Sequence, residues 1–226
     1  MIKLSGYKTE TQLHEGSNSL VYRAIRESDS KSVILKVIRD SNPTPELTAG
    51  YRKEFEIIQS LNHSPYIRQA YSLEKFKHSL CMVLEDCKGT PVSKLIKQEK
   101  LSILDSLKIA LDISSALQEL HNGHLIHCDI NPDNILWNSS NRSAKLIDFG
   151  ISTNTSKSGY AQIAYGIHAG SLAYIAPEQT GRMNRPLDYR ADFYSLGITL
   201  FEMLTYQRAF LGSDPIQLIH SHLSQI

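Results

Sequence analysis

A cluster of acid and amide side chains spans His127 to Asn134, where the sequence is His-Cys-Asp-Ile-Asn-Pro-Asp-Asn. Asp129 lies in this cluster, and Asp148 opens the triplet Asp-Phe-Gly further along the chain. A carboxylate can orient a hydroxyl group and accept its proton, and carboxylate or amide oxygens can hold a hard metal ion. The pattern therefore marks Asp129, Asn134 and Asp148 as candidates for a polar site.

A lysine inside an apolar strand is the second feature that indicates chemistry. Lys36 lies in the run Val-Ile-Leu-Lys-Val-Ile at 33–38, where an unpaired ammonium would be costly to bury. The expected partner is a glutamate on the following helix. Glu54 is favoured, because the apolar residues three before it and four after it place it beside the buried face. Glu56 lies about 200° around the helix from Glu54 and is expected to face solvent.

The elements that must position these residues change in type along the chain. Runs rich in Val, Ile, Leu and Tyr predict five strands, at 7–15, 19–27, 32–39, 67–76 and 78–85. Pro43 and Pro45 open a predicted helix at about 46–61. A segment with Gly89 and Pro91 then reads as a connector between two lobes.

Helices dominate the second half. Ser102 and Asp105 are predicted to cap the start of a long helix, which ends at Asn122 and Gly123. Its predicted inward face consists of Ile103, Leu107, Ala110, Ser114 and Leu117. Further elements are predicted at 134–137 and 145–147 (strands) and at 191–205 and 214–225 (helices). The pattern predicts an α+β fold with a small β lobe and a larger helical lobe.

Four motifs in a fixed order resemble those of the protein kinases. The segment 127–134 is similar to the family's catalytic loop, and Asp148-Phe149-Gly150 is similar to its metal-binding triplet. The segment 170–178, Gly-Ser-Leu-Ala-Tyr-Ile-Ala-Pro-Glu, resembles the end of the activation loop. The segment 192–197, Asp-Phe-Tyr-Ser-Leu-Gly, resembles the start of the next helix, whose Asp braces the catalytic loop.

The resemblance implies an enzyme that transfers the γ-phosphoryl group of ATP with Mg²⁺ to a hydroxyl group of a protein substrate. It assigns the catalytic base to Asp129 and the metal ligands to Asn134 and Asp148. Lys36, paired with Glu54, would contact the α- and β-phosphates. Ser171 stands where Ser/Thr kinases usually carry Thr, so the resemblance favours serine and threonine as acceptors.

The same resemblance implies a nucleotide site formed largely by the first half of the chain. The stretch 13–21 aligns with the glycine-rich loop of the family but keeps only the middle glycine. The residues expected to contact the nucleotide are Leu13, Gly16, Val21, Glu85, Cys87 and Leu136, together with Lys36 and Asp148. Ile34 stands where the family usually has Ala, and Leu84 lies at the back of the pocket.

Two departures from the family occur in the catalytic loop. In the family, an arginine at the position of Cys128 binds a phosphate on the activation loop. Cys128 replaces it, which predicts that activity does not need such a phosphate. Positions that could still be modified are Ser152, Thr153, Thr155, Ser156, Ser158 and Tyr160. Asn131 replaces a lysine that meets the γ-phosphate, and losing this charge is expected to weaken stabilisation of the transition state.

The composition excludes several other classes. Twenty-four basic and 23 acidic residues give a net charge of +1, so there is no excess positive field to bind nucleic acid. No apolar run is long enough to span a membrane, and the start lacks the apolar region of a signal peptide. The cysteines Cys81, Cys87 and Cys128 are scattered and are expected to be reduced thiols in a cytoplasmic protein.

The expected organisation is one kinase domain over 1–226, with an N-lobe at 1–86, a hinge at 87–90 and a C-lobe at 91–226. The C-lobe is expected to lack the family's last helices, which predicts an exposed apolar patch and a poorly compensated Glu178. The run 180–192 resembles the kinase module of large bacterial sensor proteins, which would attach a C-terminal ATPase and a histidine kinase to the chain.

Two alternative functions stay open at this point. A pseudokinase that regulates an attached domain is suggested by Asn131 and by the reduced glycine loop, whereas the complete set of candidate catalytic residues opposes it. A small-molecule kinase of the aminoglycoside phosphotransferase type shares the His-x-Asp loop with a downstream Asn. The Phe149-Gly150 pair and the Ala-Pro-Glu segment at 176–178 argue against it.

Overall fold

The computed structural model describes residues 4–150, 152–154, 171–212 and 214–224. Four of the candidate modification positions, Thr155, Ser156, Ser158 and Tyr160, lie outside the described residues, as does Gly170. The chain forms two compact units, residues 1–88 and 89–226.

The first unit contains a five-stranded antiparallel sheet in the order β1-β2-β3-β5-β4. The strands are β1 (Tyr7–Glu15), β2 (Ser19–Arg26), β3 (Lys31–Ile38), β4 (Ala70–Phe76) and β5 (Ser79–Glu85). All five predicted strands are therefore present, and their ends differ from the predicted ends by at most three residues. The central strands β3 and β5 are almost continuously buried, because both of their faces are covered.

Alternation along β3 separates its two faces. Val33, Leu35 and Val37 join Tyr22 and Val83 in an apolar cluster on one face. Residues at even positions, including Lys36, point to the opposite face.

The first unit has one α-helix among its described residues, α1 (Pro45–Ser60). Thr44 caps its start by accepting a hydrogen bond from the backbone N–H of Leu47 at 3.2 Å. The helix buries Tyr51, Glu54, Ile57 and Ile58, so Glu54 lies on the buried face as predicted, between the apolar residues Tyr51 and Ile58.

The second unit is mainly helical. Its helices are α2 (Val92–Lys97), α3 (Ile103–Asn122), α4 (Arg190–Thr205) and α5 (Pro215–Ser224). Its strands are β6 (Thr90–Pro91), β7 (Leu125–Ile126), β8 (Ile135–Asn138), β9 (Ser143–Leu146) and β10 (Thr153–Asn154). Strands β6, β8 and β9 form one small sheet, and β7 pairs with β10. The loops that carry the candidate polar residues follow the short strands β7 and β9 directly in the chain.

The inward face predicted for α3 is wrong. Ser102 caps the helix by accepting from Asp105 N–H, as predicted, but Ile103 is 68% exposed and Leu107 is 51% exposed. The buried side chains are Ser106, Ile109, Asp112, Ile113, Ala116, Leu117 and Leu120. Apolar residues lie around most of this helix, so the period alone did not identify the face that packs.

Exposed apolar side chains occur on the helical unit. They include Leu104 and Leu111 on α3 and Phe201 and Leu204 on α4. Among the described residues, none of the helices has both the length and the apolar character needed to cross a membrane.

Candidate active site

The lysine and glutamate predicted to pair do so in the first unit. Lys36 Nζ lies 2.7 Å from Glu54 Oε1, and both side chains are buried. Tyr51, one helical turn before Glu54, donates a hydrogen bond to the backbone carbonyl of Lys36 and so ties α1 to β3. Glu56 is exposed, as the helical period requires.

The candidate glycine loop is the turn of the β1–β2 hairpin. Gly16 N–H donates to the Ser19 carbonyl at 2.9 Å, and Arg39 bonds the Gly16 carbonyl at 3.2 Å while pairing with Glu15 at 3.1 Å. A side chain at Gly16 would meet the His14 ring at 3.2 Å. A larger residue at position 16 would therefore require only a small shift of the His14 ring, so local packing does not by itself demand glycine.

Leu13 and Val21 flank this turn. Leu13 lies at an irregularity of β1 between Gln12 and His14 and is 46% exposed. Val21 pairs in register with His14 on one side and with Lys36 on the other. Register thus places Val21 directly beside the buried lysine.

The connector begins at Glu85 and is fixed by a residue that the sequence analysis did not single out. Asp86 accepts hydrogen bonds from Ser32 Oγ at 2.7 Å and from Arg23 Nε at 2.9 Å. Burial alone would raise the pKa of Asp86, but these hydrogen bonds outweigh it and hold the pKa below its usual value. Cys87 is half-buried, and its thiol lies 3.8 Å from the Glu85 carbonyl. Asp86 lies in the connector, outside any helix or strand, so no helical or strand period could have identified it from the sequence.

Gly89 allows the connector to pass close to β8. A side chain at this position would come within 2.9 Å of Leu136 Cβ, too close for any residue but glycine. Leu136 pairs with Pro91 of β6 and is buried.

Two of the predicted polar residues, Asp129 and Asn134, are in contact in the second unit. Asn134 Nδ2 donates to Asp129 Oδ2 at 2.8 Å and to the Asp129 carbonyl at 2.9 Å. Burial raises the pKa of the Asp129 carboxyl, and the negative charge of Asp148 raises it further. Hydrogen bonds from Ser171 and Asn134 act in the opposite direction.

Asp148 follows β9 and has the left-handed backbone angle φ of 65°. Its carboxylate is exposed and accepts from Gly150 N–H at 3.2 Å, while the next residue, Phe149, is buried. The preceding residue, Ile147, donates its N–H to the Asn134 carbonyl at 2.9 Å. This bond joins the triplet to the catalytic-loop candidate.

Asn131 has contacts that the sequence did not predict. Its Nδ2 donates to Asp129 Oδ1 at 2.8 Å, and its Oδ1 accepts from Asp133 N–H at 2.9 Å. It also caps the 3₁₀ turn Pro132–Asn134. The side chain is therefore part of the loop's hydrogen-bond network rather than a substitute with no contacts.

His127 packs beneath Phe149, as predicted, with the ring centroids 4.8 Å apart. Its Nδ1 accepts from Asp129 N–H at 3.3 Å, which places the proton of the neutral ring on Nε2. Burial lowers the pKa of His127, although the nearby carboxylate of Asp192 acts to raise it. The ring is a neutral packing element.

Cys128 lies in an apolar cluster with Ile126, Ala176, Leu187 and Ala191. Its carbonyl accepts from Gln179 Nε2 at 2.8 Å, which joins the loop to the segment after the Ala-Pro-Glu motif. The backbone at Cys128 has a positive φ of 68°, an unusual conformation that its neighbours must hold in place.

Asp192 holds this conformation from the first turn of α4. Its Oδ2 accepts from His127 N–H and its Oδ1 from Cys128 N–H, both at 2.9 Å, and His121 Nε2 lies 2.8 Å from Oδ2. The side chain is completely buried. This is the bracing role that the sequence predicted for it.

Asp192→Asn should lower the free energy of unfolding by about 2–3 kcal/mol, because an amide group replaces one acceptor oxygen opposite a buried donor. Urea unfolding followed by fluorescence measures it. The control is Asp188→Asn, which weakens an exposed pair with Arg190 and should cost less than about 1 kcal/mol. Equal losses in both variants would contradict the bracing role.

Comparison with known proteins agrees with this geometry. The chain matches the protein kinase domain family over residues 7–226. It is 28% identical over 224 residues to a probable serine/threonine-protein kinase of Streptomyces coelicolor, covering 97% of this chain and 33% of the relative. It is also 28% identical to the serine/threonine-protein kinase pkn3 of Myxococcus xanthus, covering 97% of this chain and 41% of that protein.

A third relative is the human serine/threonine-protein kinase ULK3, which is 28% identical over 211 residues, 92% of this chain and 43% of that protein. The chain thus spans less than half the length of each of these relatives. Its match to the family nevertheless covers nearly all of its residues, in both units. The chain belongs to the protein kinase family.

Proposed function

We propose that this kinase domain transfers the γ-phosphoryl group of ATP to serine and threonine hydroxyl groups of protein substrates. The observation that carries the proposal is the 2.8 Å hydrogen bond between Asn134 Nδ2 and Asp129 Oδ2. This contact supports the proposal because the phosphoryl transfer of protein kinases uses an aspartate base and an asparagine metal ligand from one loop.

Asp129 is the proposed catalytic base. Its carboxylate orients the substrate hydroxyl and accepts its proton as the phosphoryl group moves. An ionised carboxylate offers about four acceptor positions, so it can receive the hydroxyl while it keeps its bonds to the loop.

The residues that would hold Mg²⁺ are Asn134 and Asp148. The amide nitrogen of Asn134 is directed at Asp129, which leaves its amide oxygen for a metal, and the Asp148 carboxylate is exposed. These are the hard oxygen ligands that Mg²⁺ prefers. When bound, the ion would neutralise charge on the phosphate oxygens.

The nucleotide side is proposed to use Lys36 against the α- and β-phosphates, with Glu54 holding its ammonium in place. Space for a phosphate is the proposed reason for glycine at position 16. The remaining proposed nucleotide contacts are Leu13, Val21, Leu136 and the backbone of Glu85 and Cys87.

Serine and threonine are the proposed acceptors because the relatives are named serine/threonine-protein kinases and because Ser171 hydrogen-bonds Asp129. A cytoplasmic location is also proposed, because the three cysteines are scattered and read as reduced thiols. An attached ATPase and histidine kinase in the full-length protein are proposed from the resemblance of 180–192.

The test is transfer of label from [γ-³²P]ATP to casein and to myelin basic protein in the presence of Mg²⁺, followed by phosphoamino-acid analysis. Label on serine or threonine that requires Mg²⁺ is the expected result. The Asp129→Asn variant is the negative control and should incorporate far less label than the wild type.

Other outcomes identify the alternatives. ATP binding without transfer by the wild type would overturn the proposal in favour of a pseudokinase. Label on kanamycin but not on protein would favour a small-molecule kinase. Label confined to tyrosine would overturn the proposed specificity.

A further inference from the structure

We propose that Asn131 is a positioning residue that orients the catalytic carboxylate of Asp129, an inference that rests on the proposed function. The sequence suggested only that Asn131 lacks the charge of the lysine it replaces. The contacts of the side chain give it a separate task.

The orientation of the Asn131 amide follows from its own contacts. Its Oδ1 accepts backbone N–H groups of Asp133 at 2.9 Å and of Asn134 at 3.2 Å, so this atom must be the oxygen. The other end of the amide must then be the NH₂ group, which donates to Asp129 Oδ1 at 2.8 Å and to the Asp129 carbonyl at 3.2 Å. The side chain is only 4% exposed, which limits other arrangements.

Asn131 and Asn134 hold the two oxygens of one carboxylate. Asn131 Nδ2 donates to Oδ1 and Asn134 Nδ2 donates to Oδ2, each at 2.8 Å. The torsion at the end of an aspartate side chain has a broad minimum, so a carboxylate held at one oxygen can still rotate. Donors on both oxygens fix its plane, which matters because small misplacements of a base are costly in rate.

Only a carboxamide can perform both tasks of residue 131. Serine or aspartate would also cap the 3₁₀ turn Pro132–Asn134. Serine is too short to reach Asp129, and aspartate has no donor at neutral pH and would repel it. The capping role and the positioning role can therefore be separated by mutation.

The effect is expected in kcat rather than in the KM for ATP. Asn131 is neutral and its donor is already engaged by Asp129, so it offers no charge to bound phosphates. A group that acts only on the orientation of the base lowers the rate of the chemical step and leaves nucleotide binding unchanged.

The test compares Asn131→Ser and Asn131→Asp with the wild type. Both should lower kcat by about 10- to 100-fold, the range for a lost hydrogen bond to a charged group. The KM of Asn131→Ser for ATP should stay within about twofold, and because serine keeps the cap this variant should remain folded under the assay conditions, which urea unfolding checks. Asn141→Ser, in the exposed turn between β8 and β9, is the matched control and should keep the wild-type kcat.

A double-mutant cycle separates positioning from a merely structural role. In an Asp129→Asn background the residual rate should not fall further when Asn131→Ser is added, because the carboxylate it orients is already absent. Additive losses, or an Asn131→Ser variant with wild-type kcat, would overturn the inference.

The proposed function can fail separately from this inference. Absence of transfer by the wild type would overturn the function, and crystal structures of the wild type and Asn131→Ser would then decide the inference. A rotated Asp129 carboxylate in the variant is expected. The same orientation in both structures would overturn the positioning role.

Discussion

Replacement of Asp129 by asparagine should lower kcat for phosphoryl transfer by about 10²- to 10⁴-fold, the range attributed to a positioned general base. Asparagine has nearly the same size but cannot accept the proton of the substrate hydroxyl. Its amide group would also face one of the two NH₂ donors that now hold Asp129, from Asn131 or from Asn134. The measurement is the steady-state rate at saturating ATP and protein substrate.

The loss of rate should not be accompanied by a loss of stability. Burial raises the pKa of Asp129, so the ionised form is held in the folded chain at a cost in free energy. A neutral side chain removes that cost, which offsets the penalty of an amide group that faces a donor, and we expect the urea midpoint to stay close to that of the wild type. A large fall in the midpoint would mean that the rate was lost through unfolding.

Asp133→Asn is the matched control for this prediction. It removes the same charge from the same loop at an exposed residue whose carboxylate accepts from Ser93. Its kcat should stay within about threefold of the wild type, since no proton is transferred there. If both variants lost the same rate, net charge in the loop would explain the effect and Asp129 would not be the base.

The parts of the site that the sequence predicted correctly lie on regular elements. Glu54 was chosen over Glu56 because a helix repeats every 3.6 residues, and the structure pairs Glu54 with Lys36. Lys36 was singled out because an unpaired ammonium would be costly inside an apolar strand, and the structure gives it the buried partner that this argument requires. Periodicity is informative when one face of an element is clearly more polar than the other.

The parts that were missed lack such a contrast. Helix α3 carries Leu104, Leu111 and other apolar residues on its exposed side, so its period is ambiguous. Strands β6, β7 and β10 have two residues each, too few for any period.

Asn131 and Asp86 act through hydrogen bonds in loops. The direction of a loop side chain depends on backbone angles such as the positive φ of Cys128, which residue types alone do not specify. The motif therefore located the loop, whereas the contacts of each side chain in it depend on these backbone angles.

Lys36→Met should lower the free energy of unfolding by about 3–5 kcal/mol, because it removes the ammonium 2.7 Å from a buried carboxylate. Glu54 is 4% exposed, so water cannot replace this counter-ion without opening the packing between α1 and β3. Urea unfolding measures the change. The control is Lys31→Met at the exposed end of the same strand, where the ammonium lies over the Tyr71 ring and is worth about 1 kcal/mol or less.

The double variant Lys36→Met, Glu54→Leu distinguishes the two roles of this pair. Replacing a whole buried ion pair by apolar side chains is often close to neutral in stability, so the double variant should regain most of the loss of Lys36→Met. It should not regain phosphoryl transfer, because the proposed contact of Lys36 with the phosphates is still absent. A double variant that is no more stable than Lys36→Met would show that the carboxylate is not the origin of the cost. A double variant with wild-type transfer would remove Lys36 from the proposed site, since the pair would then serve the fold alone.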